Sequence, residues 1–258
     1  MYIPITRTEY GGKNVGLLFG GEAVLVVGIK GSGKTSLAIH AVKETIANEG
    51  RVIFFDGKAL TDVEPIAKVE YCDISEVEKY NSILDSLEDE IRQRQDFKRN
   101  VGYTGSWWDM YSLKGVSLGV PPPILLVIDE LLVHIVKQQS DSKPTVELKK
   151  RIVGFLELAM RIYCRAYGLS LFLLNQSLRV IDALKNSLDN ATLVTHGSYR
   201  PSLLAAHKLE HIALDPEAHF SHIFFKVHQS LETTKFYVEP PYVKENGIFR
   251  KIKTRLSR

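Results

Sequence analysis

The chain has 258 residues, 45% of them hydrophobic and 24% charged, and its 33 basic and 30 acidic side chains leave a formal net charge of +3. This composition excludes a disordered or collagen-like chain and predicts one folded core with additions, while the charge is too balanced to signal nucleic-acid binding unaided. The apolar runs fall far short of the roughly 20 residues of a membrane helix, and the start of the chain lacks the basic and apolar stretches of a secretion signal, so no membrane insertion and a cytoplasmic location are expected.

Residues 1–21 read as an N-terminal extension. The apolar run from Glu22 to Gly28 predicts a short buried strand that stops in glycine, and Lys34 to Asn48 predicts a helix. Arg51 to Asp56 is a second strand, closed by Asp56-Gly57, and apolar residues at 74, 77, 84, 87 and 91 predict a helix from Ile74 to about Phe97. From about 98 to 123 the pattern breaks down: glycines and three consecutive prolines surround Tyr103, Trp107, Trp108 and Tyr111, which predicts a loop insertion. Ile124 to Ile128 is a third strand, Val146 to Tyr167 a long helix stopped by Gly168, and Leu169 to Leu174 a fourth strand. Ala191 to Thr195 is a fifth, and His222 to Val227 with Thr233 to Val238 form a terminal pair. Alternation of strands and helices, with several strands continuously apolar, argues for an α/β fold: a mainly parallel sheet with helices on both faces. The expected organisation is a core over 22–212, interrupted by the insertion, and a C-terminal part over 213–258 with strands and a basic tail.

Gly28-Ile29-Lys30-Gly31-Ser32-Gly33-Lys34-Thr35 fits GxxxxGK followed by Ser or Thr, the P-loop spacing, and lies between a predicted strand and a predicted helix as that loop requires. Its glycines let backbone N–H groups converge on phosphates, and the helix start adds the positive end of its dipole. Gly28, Gly31, Ser32, Gly33, Lys34, Thr35 and Ser36 are therefore the expected nucleotide-binding residues, with Lys34 on the β- and γ-phosphates and Thr35 offering its hydroxyl to Mg²⁺. The strand Ile124–Ile128 delivers Asp129 to the carboxyl edge of the sheet, where it is expected to hold Mg²⁺. Glu130, one residue on, is placed to orient or deprotonate water, which favours nucleotide hydrolysis over transfer to a small acceptor. The plain alternative makes Asp129 and Glu130 ordinary helix-starting acids. The fourth strand runs into Asn175-Gln176-Ser177, and beside the P-loop strand either Asn175 or Gln176 could bond the γ-phosphate or its water.

Taken together, the GSGKT loop, Asp56-Gly57-Lys58 after the second strand, the acid-rich helix with Glu90, Arg92 and Arg94, the LLVIDE strand, and Arg161 to Gly168 feeding a strand that ends in Asn175-Gln176-Ser177 resemble the FtsK–HerA superfamily of DNA-pumping ATPases. The resemblance covers about residues 20 to 200. It implies a P-loop NTPase fold of the RecA-like type, with an additional strand in the sheet, and ATP and Mg²⁺ as cofactors. It also gives Gln176 the role of the strand-end glutamine, Lys58 that of the lysine of the family's Asp-Pro-Lys motif, and Arg165 or Arg161 a reach into the neighbouring subunit's nucleotide. Gly57 stands where the family has proline, and Leu178-Arg179 departs from the segregation motors, so the superfamily is better supported than any branch.

The implied function is ATP-driven translocation of double-stranded DNA by a homo-oligomeric ring, a hexamer or pentamer, with viral genome packaging the favoured subtype. Capsid, portal or secretion proteins are then possible partners, and a viral chain would be virion-associated. Segregation or conjugation coupling ATPases, and filamentous-phage assembly ATPases, are the nearer alternatives; a nucleotide-gated binding protein that moves nothing is the rival of another class.

The remaining features read more plainly. Packing ranks first for Trp107–Trp108. Cys72 and Cys164, the two cysteines, read as buried free thiols. His207 and His211 lack a third candidate metal ligand. The basic tail Arg250, Lys251, Lys253, Arg255 and Arg258 is a solvated end unless DNA contacts it.

Overall fold

The computed structural model describes residues 23–57, 66, 68–111, 119–184, 190–216, 220, 223–227, 233–237, 242–245 and 248–251. The expected extension 1–21, Lys58, and the tail beyond Lys251 lie outside the described residues.

Strands β1 (Ala23–Val27), β2 (Arg51–Asp56), β3 (Val69–Asp73), β4 (Ile124–Ile128), β5 (Leu169–Asn175), β6 (Ala191–His196), β7 (Ile223–Val227) and β8 (Thr233–Tyr237) form one sheet, in the spatial order β3, β2, β4, β5, β1, β6, β7, β8. Pairing is parallel from β3 to β6 and antiparallel from β6 to β8. The strand that leads into the P-loop, β1, is thus separated from β4 by β5, which is the additional-strand arrangement. Because β7 and β8 continue this sheet, the expected boundary at 212 and 213 falls inside one hydrogen-bonded layer. A separate antiparallel pair, β9 (Tyr242–Glu245) and β10 (Ile248–Lys251), follows.

Every residue of β1, β4 and β5 is buried, because both faces of the sheet are covered. Side chains alternate between two cores. Val24, Val26, Phe54, Leu125, Val127 and Phe172 pack on one face against Leu37, Ala38, Ala41 and Val42 of helix α1 (Lys34–Ala47). Leu25, Phe55, Leu126, Leu171 and Leu173 face the opposite core, with Leu84 and Leu87 of α2 (Val77–Asn100) and Ile152 and Phe155 of α4 (Lys143–Leu158). Each such large side chain contributes about 1.5–3 kcal/mol by leaving water.

The differences from the sequence reading have local causes. β3 was not anticipated, since Glu70 and Asp73 interrupt its apolar residues; it sits at the sheet edge, where one side of the ladder meets solvent. The long helix starts three residues early, at Lys143, because the Ser142 hydroxyl accepts from Thr145 N at 3.3 Å and Pro144 occupies the first turn. It then passes through a π turn at Ala159–Tyr163 into Cys164–Tyr167 and ends at Gly168, whose φ of +73° needs no Cβ.

Within the expected insertion, residues 98–111 and 119–123 are described. α2 runs on to Asn100, and residues 107–111 make a helical turn that buries Trp107 and Trp108, with Trp107 packed on Met110 and Val120. Arg94 fastens this region: its buried guanidinium donates to Glu90 at 2.6 Å, to Pro122 O at 2.6 Å and to Tyr167 O at 3.1 Å, and stacks over Trp107. Lys98 adds a bond to Ala166 O at 3.2 Å, so two cations of α2 meet the carbonyl end of the helix that precedes β5. Cys72 and Cys164 are buried and unpaired, and burial pushes both thiols up, Cys72 to about 12.

Candidate nucleotide-binding site

The loop from β1 to α1 carries Gly31 at φ +79° and Gly33 at φ +100°, conformations that admit glycine and strain other residues. Gly28 is required for space: a Cβ there would lie 2.5 Å from Ser32 Oγ and 3.2 Å from His196 Cβ. Gly33 caps α1 without a side chain, and the first turn holds no acid, so the helix start is open to an anion. Ser32 Oγ is buried without a hydrogen-bond partner among the described residues. Lys34 is buried, and its ammonium donates back across the loop to Gly28 O at 2.7 Å and Ile29 O at 3.2 Å. An orphaned hydroxyl, an uncapped helix start and a lysine drawn over a glycine loop fit a polyphosphate.

Asp129 follows β4 and is buried, with its N–H on Phe55 O at 2.9 Å and its Oδ1 accepting from Glu130 N at 2.9 Å. In the sheet, β5 alone separates the P-loop strand from Asp129, a distance of about 9–10 Å at two strand spacings. A buried carboxylate and the Thr35 hydroxyl are hard oxygen donors of the kind Mg²⁺ takes. Glu130 adopts the left-handed conformation, φ 54° and ψ 52°, at the start of α3 (Leu131–Ile135). That backbone is uncommon for a residue with a Cβ and turns its side chain toward the end of β5. There Gln176 Nε2 donates to Glu130 Oε1.

Asn175 is committed elsewhere. Its Oδ1 accepts from Leu132 N at 3.1 Å, its Nδ2 donates to Ser177 O at 2.8 Å, and its backbone O accepts from Gly28 N at 3.1 Å. Of the two strand-end amides, Gln176 is the one turned to Glu130.

Gly57 lines the same corner, since a Cβ on it would come within 2.9 Å of Glu130 Cβ and 3.0 Å of Asp129 O. The absence of a Cβ at Gly57 therefore lets the backbone approach the two acids.

Three further residues escaped the sequence reading. Tyr199, in the turn after β6, donates its hydroxyl to Gln176 O at 2.8 Å, and burial together with the Glu130 charge holds that hydroxyl above its ordinary range. His134, fully buried, has Nε2 3.1 Å from Asp129 O, and burial pushes it down to about 4, so it is neutral. Tyr80 lies 3.2 Å from the other ring nitrogen. The only sequence signal for them was a polar atom within an apolar run, which reads equally well as core.

Arg161 and Arg165 are not part of this corner. Both are exposed, Arg161 within the π turn and Arg165 just after it. They precede the amino end of β5, about 20 Å along a seven-residue strand from the edge that carries Gln176. His207 and His211 belong to no metal-like cluster among the described residues.

No protein-family model matches the sequence, and no curated protein is recognisably similar to it. The chain is similar in structure to the pCW3 conjugation coupling protein TcpA, solved as a monomer with ATPγS: TM-score 0.68 and 19% identity over 92% of this chain and 65% of that one. It shares the fold of that protein. The cytoplasmic domain of the type VII secretion ATPase EccC from Thermomonospora curvata superposes with TM-score 0.68 at 17% identity, over 95% of this chain and 29% of that one. The DNA-packaging ATPase B204 of Sulfolobus turreted icosahedral virus does so with TM-score 0.50 at 13% identity, over 86% of this chain and all of B204. The chain thus spans less than two thirds of the length of TcpA and EccC. The P-loop NTPase fold expected from its motifs is the fold observed, and no helix among the described residues is long and apolar enough to cross a membrane.

Proposed function

We propose that this chain binds ATP and Mg²⁺, hydrolyses the ATP, and works as a ring of copies that moves duplex DNA. The observation that carries the hydrolytic part is the corner where Glu130 meets Gln176, just after β4 and β5, of which β5 lies next to the P-loop strand. Lys34, released from the loop carbonyls, neutralises the β- and γ-phosphates, while the N–H groups of 31–35 and the Ser32 hydroxyl bind their oxygens. Thr35 and Asp129 are the residues that would hold Mg²⁺, which supplies charge neutralisation across those phosphates. Glu130 takes the proton of the attacking water, and Gln176, bonded to Glu130, orders that carboxylate and senses the γ-phosphate.

The ring is supported by the place of Arg161 and Arg165. Exposed and at the far edge from their own P-loop, they can serve a nucleotide only in a neighbouring copy. Duplex DNA as the cargo rests on the resemblance and on the fold shared with a coupling protein and a packaging ATPase. Packaging is the favoured subtype, and the closer superposition with TcpA makes conjugative coupling the second reading.

Turnover measured with and without long duplex DNA, together with native mass in ATPγS, tests the proposal. DNA-stimulated hydrolysis by a closed oligomer is expected. Nucleotide binding without DNA-stimulated turnover would instead identify a nucleotide-gated binding protein.

A further inference from the structure

Behind Glu130 lie two buried side chains to which the hydrolytic reading assigns no task. Tyr80 of α2 and His134 of α3 are both 0% exposed, and Tyr80 stacks on Phe55 with centroids 3.7 Å apart. His134 Nε2 is 3.1 Å from the backbone oxygen of Asp129, and its Nδ1 is 3.2 Å from the Tyr80 hydroxyl. A carbonyl oxygen only accepts, so Nε2 carries the hydrogen; Nδ1 of the neutral ring is then an acceptor, and the Tyr80 hydroxyl must donate to it. The chain has one polarity, from Tyr80 through His134 to the peptide that joins Asp129 to Glu130.

That peptide is held at both ends. His134 takes its oxygen, and Asp129 Oδ1 takes its N–H at 2.9 Å. Gly57 closes the remaining side, with its Cβ position 3.0 Å from the same oxygen and 3.3 Å from His134 Nε2. This peptide is one of the two planes that define φ of Glu130, which takes an uncommon positive value, so holding it steadies the point from which the carboxylate projects.

We infer that His134, oriented by Tyr80, is a positioning residue that aims the Glu130 carboxylate at the hydrolytic water. The inference rests on the hydrolytic reading of Glu130. A histidine that merely fills the core would affect stability and leave the kinetic constants in proportion. A positioning residue moves kcat and spares nucleotide binding, because Lys34 and its loop lie two strands away.

The experiment uses the full chain with Tyr80→Phe, His134→Leu and His134→Gln, reading kcat and KM for ATP, the Kd of a fluorescent ATP analogue, and thermal melting. Tyr80→Phe keeps the ring stacked on Phe55 and removes only the hydroxyl. His134→Leu should lower kcat by about 10-fold or more and Tyr80→Phe by about 3-fold or more, with KM and Kd within about two-fold of wild type. His134→Gln should recover part of the loss, since its amide N–H₂ can reach the Asp129 oxygen. The ¹⁵N spectrum of the wild-type histidines supplies a readout independent of turnover: His134 should carry its hydrogen on Nε2, and Tyr80→Phe should perturb its Nδ1 resonance. Unchanged kcat in folded variants, a joint loss of kcat and Kd, or a hydrogen on Nδ1 overturns the inference. If His134→Leu does not fold, Tyr80→Phe alone decides. Wild-type protein that binds ATP without hydrolysing it overturns the hydrolytic reading itself, and the inference about aiming falls with it; the ¹⁵N spectrum then still tests the hydrogen-bond chain.

Discussion

Gln176 Nε2 donates to Glu130 Oε1, joining the end of β5 to the residue that follows Asp129 after β4. An amide on a carboxylate takes up part of the acid's accepting capacity, so whatever draws Gln176 away changes what Glu130 can accept. The same Gln176 accepts the Tyr199 hydroxyl on its backbone oxygen, which ties the pair to the turn after β6.

Lys34→Ala and Glu130→Gln should separate binding from chemistry. The first removes the phosphate-neutralising charge and should abolish nucleotide binding or turnover. The second keeps a side chain of the same shape against Gln176, so ATP binding should persist while hydrolysis drops by about 100-fold or more. Near-normal turnover by Glu130→Gln, measured by phosphate release, would remove Glu130 from the mechanism.

Gln176→Glu places a second carboxylate against Glu130. Two like charges in contact make the pair hold a proton to higher pH, and a base must lose its proton to act. The acidic limb of the kcat–pH profile should therefore move upward by about one pH unit, with Gln176→Ala leaving the limb in place and lowering kcat. An unmoved limb in Gln176→Glu would mean that the two side chains part during turnover.

Arg165→Ala, or failing that Arg161→Ala, should lose most turnover and regain part of it when mixed with Lys34→Ala protein. A subunit with an intact loop can be served by a partner that retains its arginine. Mixing curves without rescue for either arginine would leave both as surface residues.

Arg94→Met should destabilise the fold by roughly 3 kcal/mol, because it removes the buried guanidinium that serves the carbonyls of Pro122 and Tyr167 and leaves Glu90 with Arg51 as its cation. Gly168→Ala should cost more than about 1 kcal/mol, since its φ is +73° and a Cβ would lie 2.2 Å from Trp107 Cδ1. Urea unfolding measures both.

The basic tail calls for charge substitution. Truncation after Gly247 would also remove β10, which pairs with β9, so Lys253, Arg255 and Arg258 are better changed to Gln together. If they touch DNA phosphates, the slope of log affinity against log salt should fall by roughly 0.9 per lost contact, without a change in sequence preference. Equal slopes by fluorescence anisotropy would identify a solvated end.

The sequence by itself determined the elements whose residues carry their own local reason. Continuous apolar runs at 124–128 and 169–174 had to be buried strands, and the spacing from Gly28 to Thr35 had to be a glycine turn into a helix, because glycine, lysine and a helix start act within a few residues of one another. Edge strand β3 escaped because the exposed Glu70 and the half-buried Asp73 break its apolar run. The order of strands, and with it the meeting of Glu130 and Gln176, 46 residues apart, was decided by packing between distant segments. The same packing committed Asn175 to backbone partners and left Gln176 to face the acid, a choice that two adjacent amides in a sequence do not express. Tyr80, His134 and Tyr199 look like core residues in one dimension; only the tertiary structure supplies the carbonyls they bond, since a hydrogen-bond partner lies wherever folding brings it.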